Sequence, residues 1–276
     1  MLNRYCFSTH TLALTVLCMG MSYSAIADTV RIGGTGAALG TMQLISKAFE
    51  KAHPEHSVKV LPSLGTSGGL KALHGGALDL AVSARDVNAE EKTAGLSAYK
   101  YGTTAFIFVS HPKTPVQALT KESIAAIYSG KQASWSDGKP VRLVLRPKGD
   151  SDTKQLTQFS PEIEAAVMAA HAKSGMTLAV TDSDSADQVD KIPGAFATST
   201  LSLVLSENRN FNILTLDGIK PTAETLADAT YPHTKDMYAV SGANPSAGAK
   251  QFLHFLGSPQ GVEILKKTGH KFSMAP

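Results

Sequence analysis

Apolar residues along this chain fall into two alternating spacings. Short runs, either continuous or at every second position, occur at TVRIGG (29–34), HSVKVLPSL (56–64), LDLAVSA (78–84), YGTTAFIFVSH (101–111) and VRLVLRP (141–147), and predict strands. Between and after them lie stretches with apolar positions three and four apart: MQLISKAFEKA (42–52), LKALHGG (70–76), TKESIAAIYSG (120–130) and SPEIEAAVMAAHAKSG (160–175). These predict helices, the third opened by a Thr cap and stopped by Gly, the fourth opened by Ser-Pro and closed by Gly. Residues 245–270 predict two closing helices. Strands alternating with helices argue for an α/β fold with largely parallel sheets. The run 101–111 has the length of a crossing between two lobes, which periodicity alone does not establish. No internal repeat or low-complexity linker interrupts the pattern, and the length allows one or two domains.

The first 27 residues stand outside it. Arg4 gives a positive start, LALTVLCMGM (12–21) an apolar stretch too short to span a membrane, and Ala25-Ile26-Ala27 a small-residue cleavage site before Asp28. The expectation is a signal peptide over 1–27 and an exported, periplasmic chain. Val16 and Leu17 before Cys18 argue against a lipoprotein reading. Both cysteines, Cys6 and Cys18, lie in that signal, so thiol nucleophiles, Cys-based zinc sites and Fe–S clusters are excluded from the rest. The chain beyond the signal is long enough to bury a core without disulfides. The formal charge of the whole chain is only +3, which leaves no electrostatic footprint for nucleic acid and no polybasic membrane patch.

Three Gly/Ser/Thr-rich turns carry the candidate chemistry: GTGAALG (34–40), GTSGGLKAL (65–73) and RPKGDSDT (146–153). Each leads from a strand-like into a helix-like segment, where unpaired N–H groups and the helix dipole favour an anion. GTGAALG departs from the dinucleotide spacing G-x-G-x-x-G, and no acidic residue near Pro62 or Gly65 is placed to hold a ribose. GTSGG matches the nucleophile elbow G-x-S-x-G, so a serine hydrolase using Ser67 is an alternative. Against it, only two strand-like segments precede Ser67, and no distinct oxyanion loop lies upstream.

RPKGDSDT is the most specific of the three. Arg146, at the end of VRLVL, offers a rigid fork to two oxygens of one anion, and Ser151 and Thr153 supply hydroxyls. Asp150 and Asp152 serve either as helix caps or as acceptors for a proton carried by the anion, which would favour phosphate over sulfate. Arg85, ending LDLAVSAR, either reaches the same cleft or is a solvated surface charge. The nine histidines show no metal-ligand spacing, and DSDSAD (182–187), lacking the central Gly and closing Glu of a calcium loop, reads as an acidic turn. No cofactor or metal is expected.

In order and spacing these motifs resemble the periplasmic phosphate-binding protein family, the substrate-binding components of phosphate ABC transporters. IPGAFA (192–197), DGIKPTAETLADATYPHTKDMYAV (217–240) and AKQFLHFLGSPQGVEILKKTGH (249–270) extend the likeness over nearly the whole chain beyond the signal. The resemblance implies a two-lobed class II periplasmic binding protein fold, with lobe 1 at 28–104 and 232–276 and lobe 2 at 105–231. It implies an oxyanion held in the cleft and a membrane permease as partner; a non-transport oxyanion sensor or binding module is the other alternative beside the hydrolase. By position it implies backbone N–H donors at Ala38 and Leu39, the Thr66 hydroxyl assisted by Ser67, and Arg146, Ser151, Thr153 and the Asp152 amide from the second lobe. Departures from the family pattern are Ala38 where a Thr is usual, Ala84 beside Arg85 where the proton-accepting acid falls, and Asp152 in place of Gly in a third turn one residue longer. Either Asp150 or Asp152 takes over the proton, or the ligand is a different oxyanion, or it is something larger.

Overall fold

The structure, a computed structural model, describes residues 28–273; the expected signal peptide and both cysteines lie outside the described residues. The chain begins with β1 (Asp28–Gly34), α1 (Gly36–Ala52), β2 (His56–Val60), α2 (Gly65–His74), β3 (Leu80–Ser83) and α3 (Ala89–Thr93). The 14-residue β4 (Ser97–Ser110) comes next. Then come β5 (Ala118–Leu119), α4 (Lys121–Ser129), β6 (Arg142–Leu145), α5 (Ser151–Thr157), α6 (Pro161–Ala172) and β7 (Thr177–Leu178). The chain continues through α7 (Asp182–Lys191), β8 (Ala195–Thr200), α8 (Leu201–Ser206), β9 (Asn212–Ile213), β10 (Thr215–Leu216) and α9 (Ala223–Ala227). It closes with β11 (Thr234–Ser241), α10 (Ala247–Leu256), α11 (Pro259–Lys267) and β12 (His270–Phe272).

Ten strands form one sheet, with the path β2-β1-β3-β11-β4-β8-β6-β7 and with β9 and β12 also on β4. β1, β2 and β3 run parallel, as the helical crossovers require, and β11 returns antiparallel between β3 and β4. The partners of β4 change along its length. Ser97–Ala105 pairs with β11, whereas Phe106–Ser110 pairs with β8. Three buried clusters result. Val30, Ile32, Met42, Ile45, Phe49 and Phe252 belong to one, Phe106, Phe108, Ile124, Ile163, Val189 and Phe196 to another, and Leu70, Leu73, Leu78 and Val240 to a smaller third. AFIFV (105–109) is buried throughout because elements cover both faces of the sheet there, which is why it reads as a continuous apolar run. Each such side chain taken from water contributes about 1.5–3 kcal/mol.

Local signals act where expected at α4. Thr120 accepts the Ser123 N–H, and Gly130 stops the helix at φ 82°. Ser160 caps α6 ahead of Pro161, although the helix ends before Lys173 rather than at Gly175. Two expectations are corrected. α1 starts at Gly36, six residues ahead of the amphipathic stretch, because Gly36–Thr41 is buried on all sides and shows no polar face. DSDSAD is the first turn of α7, not an acidic turn. Thr181 and Asp184 form a capping box, and the acidic side chains meet the positive end of the helix dipole.

Candidate functional site

An open cleft of about 1070 Å3 lies between the α2 start and residues 84–88 on one wall and residues 147–158 on the other, with β11 at its base. On the first wall, the Thr66 Oγ1 accepts the Ala84 N–H at 3.1 Å, which fixes the α2 start against the end of β3. Thr66 and Ser67 both line the cleft. Arg85 lines it too, but its guanidinium is clamped by Glu91, with Nη1 and Nη2 each 2.8 Å from a carboxylate oxygen. Hydrogen bonding to Arg85 holds Glu91 below the usual carboxylate range, so this arginine enters the site already neutralised.

On the second wall, β6 delivers Arg146 into a pocket of carboxylates. The side chain is 3% exposed. Its Nη1 donates to the Ala179 carbonyl at 2.9 Å, its Nη2 to Asp150 Oδ2 at 2.9 Å, and Asp182 Oδ1 stands 3.7 Å from Nη2. Its buried Nε has no partner among the described residues. Burial works against the Arg146 charge, but Asp182, Asp152 and Asp150 outweigh it and hold the pKa above the usual arginine value.

The two aspartates of the third turn have separate roles. Asp150 is the N-cap of α5; its Oδ1 accepts the Asp152 N–H at 2.9 Å, and the residue lines the cleft. Burial and the neighbouring Asp152 push its pKa up to about 6, against the pull of Arg146. Asp152, 1% exposed, does not line the cleft; it is ion-paired to Lys235 Nζ and accepts from the Thr198 Oγ1 at 3.2 Å. Burial opposes its charge, yet Lys235 and Arg146 keep its pKa low.

Of the ten residues expected in the site, the cleft brings together Thr66, Ser67, Arg85, Asp150 and Ser151, with Arg146 joined to its wall through Asp150. Thr153 lies behind, its Oγ1 donating to the Arg146 carbonyl at 3.1 Å, and the Asp152 amide is taken by Asp150. Ala38 and Leu39 stand apart from these residues. They are 0% and 5% exposed, belong to the core of the first lobe, and do not line the cleft. The Ala38 N–H is directed at the Thr35 carbonyl at 3.2 Å. The free positions of that turn are filled by Asp182, whose Oδ2 accepts from the Thr35 Oγ1 at 2.8 Å and from the Ala37 N–H at 3.4 Å.

Sequence reasoning missed Lys235 and Asp182. Lys235 had a legible signal: in TKDMYAVS it shares the buried parity of Met237 and Ala239, and a charge on the inward face of a strand needs a partner. Asp182 had none, because its significance depends on a contact 147 positions away in sequence. No histidine lines the cleft among the described residues, so Ser67 has no imidazole base there.

A family profile described as a PBP superfamily domain matches residues 22–260. This chain belongs to the PBP superfamily, the periplasmic binding proteins. Among its relatives is the phosphate-binding protein PstS of Bacillus subtilis, 25% identical over 242 residues covering 84% of this chain and 76% of that one. PstS of Borreliella burgdorferi is 20% identical over 247 residues, 87% of this chain and 88% of the relative. A phosphate-bound structure from Clostridium perfringens, of a putative phosphate ABC transporter substrate-binding protein, superposes with TM-score 0.74 at 22% identity. It covers 89% of this chain and 100% of its own. The two-lobed fold is thus that of the periplasmic binding proteins, and family members of this kind are solute-binding proteins.

Proposed function

We propose that this PBP-superfamily chain is an exported solute-binding protein that captures phosphate in the cleft and presents it to the membrane permease of an ABC transporter, without catalysing a reaction. The observation that carries this reading is Arg146, buried with an unpaired Nε and joined to the polar cleft through Asp150. An unpaired buried guanidinium donor costs about 1–3 kcal/mol, and an oxyanion at that position removes the cost. The phosphate-binding relatives support the choice of ion. The ligand would accept hydrogen bonds from the Thr66 and Ser67 end of α2, a ten-residue helix, and from Ser151 across the cleft. Asp150, rather than Asp152, is assigned as acceptor of the phosphate proton, because it faces the cleft whereas Asp152 is committed to Lys235.

Lobe boundaries at 104/105 and 231/232 are part of the proposal. They are supported by the change of β4 partners at Ala105 and Phe106, and by the Phe106 N–H bonding the His233 carbonyl at 2.8 Å. Two strands joining two lobes are suited to hinge closure over a ligand. Export with cleavage after Ala27 belongs to the same reading, and among the described residues no helix is long and apolar enough to cross a membrane.

Calorimetry with inorganic phosphate tests the reading. The protein is expected to bind, and Arg146→Lys, which keeps the charge but loses the fork, to weaken binding by roughly a hundredfold. An Arg146→Lys variant with unchanged affinity removes Arg146 from the site, and a wild-type protein that ignores phosphate while binding another oxyanion changes the ligand.

A further inference from the structure

The turn between β1 and α1 already holds an anion, and that anion belongs to the protein. Asp182, 8% exposed, opens α7, between β7 and β8 of the lobe 2 sheet, and its carboxylate reaches the α1 start in lobe 1. There it accepts from the Thr35 hydroxyl at 2.8 Å and from the Ala37 amide at 3.4 Å, while its other oxygen stands 3.7 Å from Arg146 Nη2. Thr35 itself is 2% exposed, so this hydrogen bond is shielded from water. The approach depends on a glycine. A Cβ at Gly36 would lie 2.9 Å from the Asp182 Cβ, 2.8 Å from the Ser183 Oγ and 3.0 Å from its backbone nitrogen. One turn further on, a Cβ at Gly40 would lie 2.4 Å from the Ser206 Oγ of α8. Gly36 and Gly40 therefore serve close helix approach across the lobes, and the space a ligand would need at this turn is filled by a carboxylate.

We propose that Asp182 is an internal competitor for the oxyanion site: its carboxylate straps lobe 2 to the α1 start and shares Arg146, so an anion entering the cleft must work against it. The inference rests on the phosphate reading for its ligand but not for its strap. A carboxylate beside Arg146 repels an incoming anion, so Asp182 sets the affinity below what the other donors would allow. The same contact favours the arrangement in which the lobes touch, so its loss shifts the lobe equilibrium whether or not ligand is added.

Asp182→Ala removes the strap, Asp182→Asn keeps an acceptor for Thr35 but removes the charge, and Gly36→Ala pushes α7 away with every charge intact. The described residues contain no cysteine, so spin labels can be placed at Lys51→Cys on α1 and Lys131→Cys after α4. With no anion added, Asp182→Ala and Gly36→Ala are expected to broaden the interlobe distance distribution toward longer values. With inorganic phosphate, Asp182→Ala and Asp182→Asn are expected to bind about tenfold tighter or more, a gain that a merely structural role for Asp182 would not produce. An unchanged distance distribution in both Asp182→Ala and Gly36→Ala overturns the strap, and an unchanged or weakened affinity in both Asp182 variants overturns the competition. If neither wild type nor variants bind phosphate, the choice of ligand fails, and the distance measurement still decides the strap.

Discussion

Asp150 does two jobs with one carboxylate. Its Oδ1 caps α5 through the Asp152 N–H, and its Oδ2 takes a hydrogen bond from Arg146. The sequence left capping and proton acceptance as alternatives for this residue, and the geometry accommodates both. Burial, with Asp152 alongside, pushes its pKa up to about 6, from an ordinary value near 3.8. The native state then holds a proton that the unfolded chain has released between about pH 4 and pH 6, so stability falls as pH rises through that window and the loss is complete above it. Asn is also a good cap and carries no charge. Asp150→Asn is therefore expected to gain melting temperature relative to wild type as pH goes from about 4.5 to about 7.5. A difference that stays flat across the series, read by differential scanning fluorimetry, would show that Asp150 does not titrate there.

Among the elements, the three turns share a composition but not a function. GTSGG presents Thr66 and Ser67 to the cleft, and RPKGDSDT presents Asp150 and Ser151. GTGAALG is closely packed against β3 and α7. Gly34 has φ 136°, and a Cβ there would lie 2.0 Å from the Val82 carbonyl oxygen of β3, the same carbonyl that accepts the Thr35 N–H at 3.0 Å. Gly34→Ala combines backbone strain with a backbone clash and is expected to cost about 2 kcal/mol or more in urea denaturation. A loss under half of that would mean that β1 and β3 shift apart freely. Periodicity located α4, α6, α10 and α11 because each keeps an apolar face and a capping residue in sequence. Among what it missed are the start of α1 and the helix α7, besides the short helices α3, α8 and α9. The first is buried all round, and the second, with few apolar residues, is held by its Thr181 capping box and by packing at Ser185, Ala186 and Val189.

Across the molecule as a body, β4 and β11 carry the connection between the two larger cores, and Lys235 is a buried charged group at that crossing. It is 4% exposed, lies 5.3 Å from the Phe106 ring centre, and pairs with Asp152 of α5. Nearby, the Gln155 Nε2 donates to the Thr234 carbonyl at 2.8 Å and Lys235 Nζ also donates to Ser151 Oγ at 3.3 Å, so the returning strand is tied to α5 at both Thr234 and Lys235. Lys235→Met strands the buried Asp152 carboxylate and is expected to cost about 3–5 kcal/mol, with much of that recovered in the Lys235→Met/Asp152→Asn double variant. Failure of the second substitution to recover stability would assign the cost to packing. Local spacing and the polarity of helix ends were enough to specify the α/β alternation, a β-rich run over most of β4 and the anion-favouring turns at the α2 and α5 starts. They could not say which carboxylate meets which partner. Asp152 goes to Lys235, 83 positions away, and Asp182 goes to Thr35, 147 positions away, pairings set by the approach of lobes in space that no local pattern encodes.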